Sequence, residues 1–280
     1  MSKVYGIYGY EITKEINGPG FKIEPISESV QTSHISAADE ESYHLTALVH
    51  GDLANARLIF QLQAILTFIE QREVLISGPH LCAKDEKHKN IANKISIPRT
   101  GTPGKFTVLQ DYYSNDGRSE LIIKCLSLLN DEKHCNNTRY DTLLFRNVET
   151  LRLRTIMVEL FYFLHFSALE SHARAVLKDT RSSAANVIAR QLSAYRLNVE
   201  ELNLMDDQSS ISTYSHIRNS IFHNGEFNPT VNYNSSYKTF KATEFLSALV
   251  QLSNLTVLKA TGFDDGHINW NGWKDRQTFI

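Results

Sequence analysis

The sequence predicts two domains, an α+β module over residues 1–137 and an all-α antiparallel helical bundle over residues 138–280. Three observations lead there. The first half mixes short alternating stretches and turn signals with one run of helical spacing. A polar run, Asn130 to Thr138, then interrupts the chain. Beyond it, apolar residues recur at helical intervals between short polar links.

Val4 to Ile16 alternates loosely and meets Asn17-Gly18-Pro19-Gly20, a strong turn signal. Phe21 to Ile26 alternates apolar and polar, as the return strand of a hairpin does. Tyr43 to His50 predicts a further strand. Leu53 to Arg72 carries apolar residues at 58, 62, 65, 66 and 69, a helical spacing. Ile95 to Val108 contains Pro98, Gly101, Pro103 and Gly104 and predicts loop. Ser119 to Leu129 fits helix or strand. In the second half, helices are expected over 148–178, 183–204, 207–223 and 237–260. The third of these turns Ile211, Tyr214, Ile217 and Ile221 inward.

Bulk properties narrow the function. The 280 residues are 42% hydrophobic and 21% charged, enough to bury real cores. A net charge of -2 and a pI near 6.6 argue against broad binding to duplex DNA, and leave room for a local basic site. Cys82, Cys125 and Cys135 form no paired motif, which suggests a reducing, cytoplasmic setting. Met1 runs straight into strand-like sequence, so no secretion signal is expected. The most apolar stretch, Ile156 to Phe166, is too short to span a bilayer, so no membrane association is expected. Gly101-Thr102-Pro103-Gly104-Lys105 departs from a phosphate loop, with Arg99 where the first glycine belongs and Phe106 after the lysine. The Cys and His spacings fit no zinc finger. Neither a cofactor nor a metal is expected.

The chemistry concentrates in His216-Ile217-Arg218-Asn219-Ser220-Ile221-Phe222-His223-Asn224-Gly225. Arg218, Asn219 and His223 put a permanent cation, an amide and a titratable base within one and a half helical turns. Those are the groups a metal-free ribonuclease needs. Asp206 and Asp207 are expected at the helix start and Asn224-Gly225 at its stop. His223 then falls in the last turn, at the helix end that attracts positive charge. Asn219 and His223, four apart, share a face. Arg218 lies about 140° around from His223, within reach of a long side chain. It also follows Ile211 and Tyr214 on the inward stripe, so it is expected partly buried and paired with a carboxylate. Glu170 is the candidate partner. His165 and His172, seven apart on one helix face, fit packing or interface roles, and His172 could line the cleft.

On these residues the stretch from about 148 to 262 resembles the HEPN superfamily, small helical bundles carrying Arg, a polar residue and then His. Phe166-Ser167-Ala168-Leu169-Glu170-Ser171 is similar to the first-helix signature of its Apea-like branch. HEPN toxins paired with nucleotidyltransferase antitoxins carry Tyr two residues after the His. Gly225 stands there, so control by modifying that Tyr is not expected. The resemblance implies a metal-independent endoribonuclease, acting on tRNA, rRNA or mRNA as a toxin or anti-phage defence effector. It implies catalytic roles for Arg218, Asn219 and His223, with Glu170 in support. It further implies a homodimer with a composite cleft. In-line attack by the ribose 2′-OH needs a base and an acid, and with one motif His per chain the two-fold mate would supply the second. Two alternatives stand beside this: a non-catalytic module of the same fold that binds RNA or protein, and an antitoxin-like or regulatory partner bound to another chain through the apolar first half. Residues 1–137 resemble no named family and are expected to sense a trigger, bind RNA or restrain the nuclease.

Overall fold

Asn17-Gly18-Pro19-Gly20 makes the hairpin that the sequence predicts. Strand β2 (Ile16–Gly18) returns as β3 (Phe21–Pro25), with Gly20 at φ +83°, where a side chain would be strained. This computed structural model describes residues 2–51, 56–82, 91–99, 108–109, 116–233 and 236–275. The chain divides into two compact units, Met1–Ser127 with Leu151–Thr155, and Leu128–Thr150 with Ile156–Ile280.

The first unit adds β1 (Ser2–Tyr8), α1 (Val30–Ala38), β4 (Tyr43–Gly51), α2 (Ala56–Glu70), β5 (Leu75–Cys82), β6 (Lys94–Ile95) and most of α3 (Gly117–Asn130). Its antiparallel sheet has the order β2-β3-β4-β1-β5, with β6 paired to β4. The α+β expectation therefore holds for this half. The ambiguous stretch from Ser119 is helical, as α3. Of the expected loop, residues 100–107 lie outside the described residues.

Buried charge joins the elements of this unit. Arg118, in the first turn of α3, meets Glu70 at the end of α2, Nη1 to Oε1, at 2.8 Å. The two side chains are 2% and 6% exposed. The same Glu70 oxygen accepts the Glu11 N–H at 2.8 Å, and Arg118 also donates to Leu109 O at 2.9 Å and to Glu11 O. Its guanidinium lies 4.8 Å from the Tyr10 ring centre. Burial pushes the Glu70 carboxyl up from its ordinary pKa while Arg118 opposes that shift. Arg99 is a second buried cation, donating to the carbonyls of Ala37, Gly9 and Glu73.

The second unit holds α4 (Glu132–Thr138), α5 (Tyr140–Leu151, its last residue counted with the first unit), α6 (Val158–Leu177), α7 (Ala184–Ala194), α8 (Ile211–Asn224), β7 (Thr230–Tyr233), β8 (Ser236–Thr239), α9 (Ala242–Thr261) and α10 (Gly272–Asp275). Helix α6 packs against α4, α7, α8 and α9. This half is helical but not all-α, because residues 230–239 pair as the hairpin β7–β8, and α9 starts at Ala242 instead of 237.

Other boundaries also differ from expectation, each for a local reason. The units part within α3, before residue 137, because the polar run Asn130–Thr138 is mostly helix α4. The Asp131 carboxylate caps it by accepting the His134 N–H at 2.9 Å, and Arg139 ends it at φ +55°. The single helix expected over 148–178 is two, α5 and α6, parted at residues 152–157 with no Gly or Pro to mark the break. The helix expected over 183–204 stops at Ala194, and Arg196 turns left-handed at φ +60°. The helix expected from 207 begins at Ile211. Asp206 and Asp207 lie before it and take Lys274 at 3.1 Å and Lys238 at 2.8 Å.

Arg118→Met would leave the Glu70 carboxyl buried beside a neutral neighbour. The expected loss of stability is about 3–5 kcal/mol, read from the shift of the urea unfolding midpoint. An unchanged midpoint would contradict a structural role for the pair.

Candidate functional site

Helix α8 divides cleanly around its axis. Ile211, Thr213, Tyr214, Ile217, Ser220 and Ile221 are buried. His216, Asn219, Phe222 and His223 are exposed, and Arg218 sits half-buried at the margin. The inward stripe is the one the apolar spacing predicts. The helix ends at Gly225, φ +69°, whose N–H bonds Ile221 O at 3.1 Å, while the Glu226 N–H reaches back to Ser220 O at 3.2 Å. The Gly225–Ile221 bond is the five-to-one closure of an αL cap, and it fixes His223 in the last turn.

Arg218 Nη1 donates to Asn219 Oδ1 at 2.8 Å. Its guanidinium carbon lies 5.8 Å from the ring centre of Phe166, on α6, and 5.6 Å from that of Phe222. Phe222 in turn packs on Phe163 at 5.5 Å, and both are partly exposed. The cation and the amide of the motif are thus joined. The His223 imidazole is exposed and hydrogen-bonds none of the described residues.

The expected pairing of Arg218 with Glu170 does not form. Glu170 Oε1 is taken by Arg174 of its own helix, at 2.8 Å. Phe166, which lies under Arg218, is one turn before Glu170. Aromatic faces therefore serve the half-buried cation in place of a carboxylate.

The two α6 histidines are interior groups. His172 Nδ1 donates to Thr138 O at 2.6 Å and Nε2 faces the Tyr195 hydroxyl at 2.9 Å, so it ties the end of α4 to the residue closing α7. His165 Nε2 faces Thr150 Oγ1 at 3.2 Å. Each is 1% exposed, so His172 does not line an open cleft. Burial lowers their pKa values from 6.5, to about 4 for His172 and about 3 for His165.

One residue escaped the sequence reading. His216 stands seven before His223, hence on the same face, with Asn219 between them. Partial burial lowers its pKa. The seven-residue spacing was the available signal, lying just outside the Arg-Asn-x-x-x-His string.

Elsewhere Asp39, Ser42 and His44 cluster, but not as a nucleophilic triad. His44 Nε2 faces both Asp39 at 2.6 Å and Ser42 at 3.2 Å, and the Ser42 hydroxyl donates to Asp39 at 2.7 Å. A triad needs opposite ring nitrogens on base and orienter. Among the described residues no three His, Cys, Asp or Glu side chains are grouped to hold a metal, and no helix is long and apolar enough to cross a membrane. No family model, no curated protein and no solved structure matches the chain.

The buried imidazoles make stability depend on pH with a definite sign. Their folded pKa values lie below the unfolded 6.5, so stability is full above pH 6.5 and falls as pH drops. The loss runs down to about 4 for His172 and about 3 for His165. Each contributes up to about 1.4 kcal/mol per pH unit in that window. Chemical denaturation between pH 7.5 and 4.5 should show the decline, and His172→Gln should flatten it. A variant with the wild-type slope would contradict the assignment.

Proposed function

We propose that the exposed face of α8 is the working surface of a metal-independent endoribonuclease with a HEPN-type C-terminal domain. The observation that carries this reading is the Arg218–Asn219 bond of 2.8 Å, set on a solvent-facing surface that ends in His223. A guanidinium bonded to one amide oxygen retains further N–H groups for a phosphate. Arg218 binds the scissile phosphate and stabilises charge growing on its oxygens. His223 transfers a proton. Asn219 orients Arg218 and the phosphate. RNA supplies the nucleophile through its 2′-OH, and DNA lacks it. Phe163 and Phe222, exposed beside Arg218, offer faces on which bases stack. A homodimer would set two such faces against one cytoplasmic RNA, and a toxin or anti-phage effector is the role such an enzyme fits. The first unit is the regulatory partner of this activity.

A second reading has one observation in its favour. His223 hydrogen-bonds none of the described residues, and Arg218 is turned to Asn219, Phe166 and Phe222. A helical module that binds RNA or a regulated protein without cutting would look the same.

Incubation with tRNA and rRNA in EDTA separates the two. The wild type should cut, leaving 2′,3′-cyclic phosphate and 5′-OH ends, and the DNA counterpart should stay intact. His223→Ala should slow cleavage by about 10²–10⁴, and Arg218→Ala should be similarly impaired. RNA bound but uncut by all three proteins favours the binding module. Metal-dependent cleavage that survives His223→Ala contradicts the mechanism.

A further inference from the structure

Resting on the ribonuclease reading, we infer that His216 and His223 form the acid–base pair of the reaction within one chain, with His216 as the base that takes the 2′-OH proton and His223 as the acid that protonates the leaving 5′-oxygen.

Both lie inside the continuous helix α8, on its exposed face. Seven residues separate them, about 10 Å along the axis and only about 20° around it. In-line displacement needs two proton-transfer groups on opposite sides of one phosphorus. Each must come within about 3 Å of its oxygen, so the two imidazoles must stand apart along the line of attack. Side chains on successive turns of one helix face meet that demand. Residues on opposite faces could not share it.

The space between them is furnished for a phosphate. Asn219 stands between the two histidines, and Arg218 is bonded to it. A phosphodiester lying along the helix would place its bridging oxygens toward the two rings and a free oxygen toward the Arg218–Asn219 pair. Partial burial favours the neutral form of His216. A base must start neutral, so the acid role falls to His223. The proton account closes. His216 gains the 2′-OH proton as the oxygen–phosphorus bond forms, and His223 gives one to the 5′-oxygen as its bond to phosphorus breaks. No oxidant, reductant or metal is needed, and a second copy of the chain need not supply an imidazole.

The test uses two substrates in EDTA, an RNA oligonucleotide and uridine 3′-(4-nitrophenyl phosphate). The nitrophenolate leaves without a proton, so only the first substrate needs the acid. The wild type should cut both. His216→Ala should lose at least about a hundredfold on both, and His223→Ala should lose that much on RNA while staying within a few-fold of wild type on the aryl ester. A merely structural role would not produce that split, and His216→Gln, with its fold checked by circular dichroism, should behave as His216→Ala does. Co-expressed His216→Ala and His223→Ala chains, purified together through separate tags, should show no recovery. His216→Ala with wild-type rates on both substrates overturns the pair and leaves the ribonuclease standing, as does recovery in the mixed chains, which would place the two groups on different copies. A reversed split overturns the assigned roles. A wild type inert on both substrates removes the ribonuclease reading itself and this inference with it.

Discussion

The second unit is organised by the burial of α6. Phe161, Tyr162, Phe166, Leu169 and Ala173 are buried along it, and α4, α7, α8 and α9 pack against it. Two imidazoles are carried into this interior. His172 has partners on both ring nitrogens, which is how a polar ring is buried without a large cost. Tyr162 donates to Ala242 O at 2.9 Å and so holds the start of α9 against the same helix. Helix α8 inherits its orientation from this arrangement. With Phe166 beneath Arg218 and Tyr214 against Phe245 on α9, the arc holding Asn219 and His223 is left to solvent.

The first unit solves a comparable problem with charge. Glu70 lies at the end of a helix whose residues from Ala64 onward are all buried. A carboxylate there is tolerated because Arg118 and a backbone N–H meet it together. Replacing both ion-pair partners by apolar groups can be neutral in such settings, while removing one is not. The pair therefore specifies which helix end meets which more than it adds to stability.

The sequence was most legible where one physical rule acts alone. The stripe on α8, its glycine stop and the β2–β3 turn each follow from a local pattern, and each is where the pattern puts it. It was least legible where a break carries no marker. Arg139, Lys178 and Arg196 all adopt left-handed conformations at helix ends, a place where glycine is the usual signal. The strands of β7–β8 are four residues each, too short for alternation to outweigh the helical spacing beside them. For the site, position was readable but partnership was not. Amphipathicity implied that Arg218 needs a companion, yet nothing local distinguishes a carboxylate on α6 from an aromatic ring one turn earlier.

The αL glycine ending of α8 has a consequence for recognition. Backbone bonds hold this last turn, and among the described residues no side chain hydrogen-bonds the His223 ring. The imidazole is thus a tethered rotor on a stationary post. A ligand that engages it must supply the ordering of that side chain, about 0.5–1.5 kcal/mol. A loosely held ligand would leave the rotor free, and only one seated well enough to still it would be engaged further.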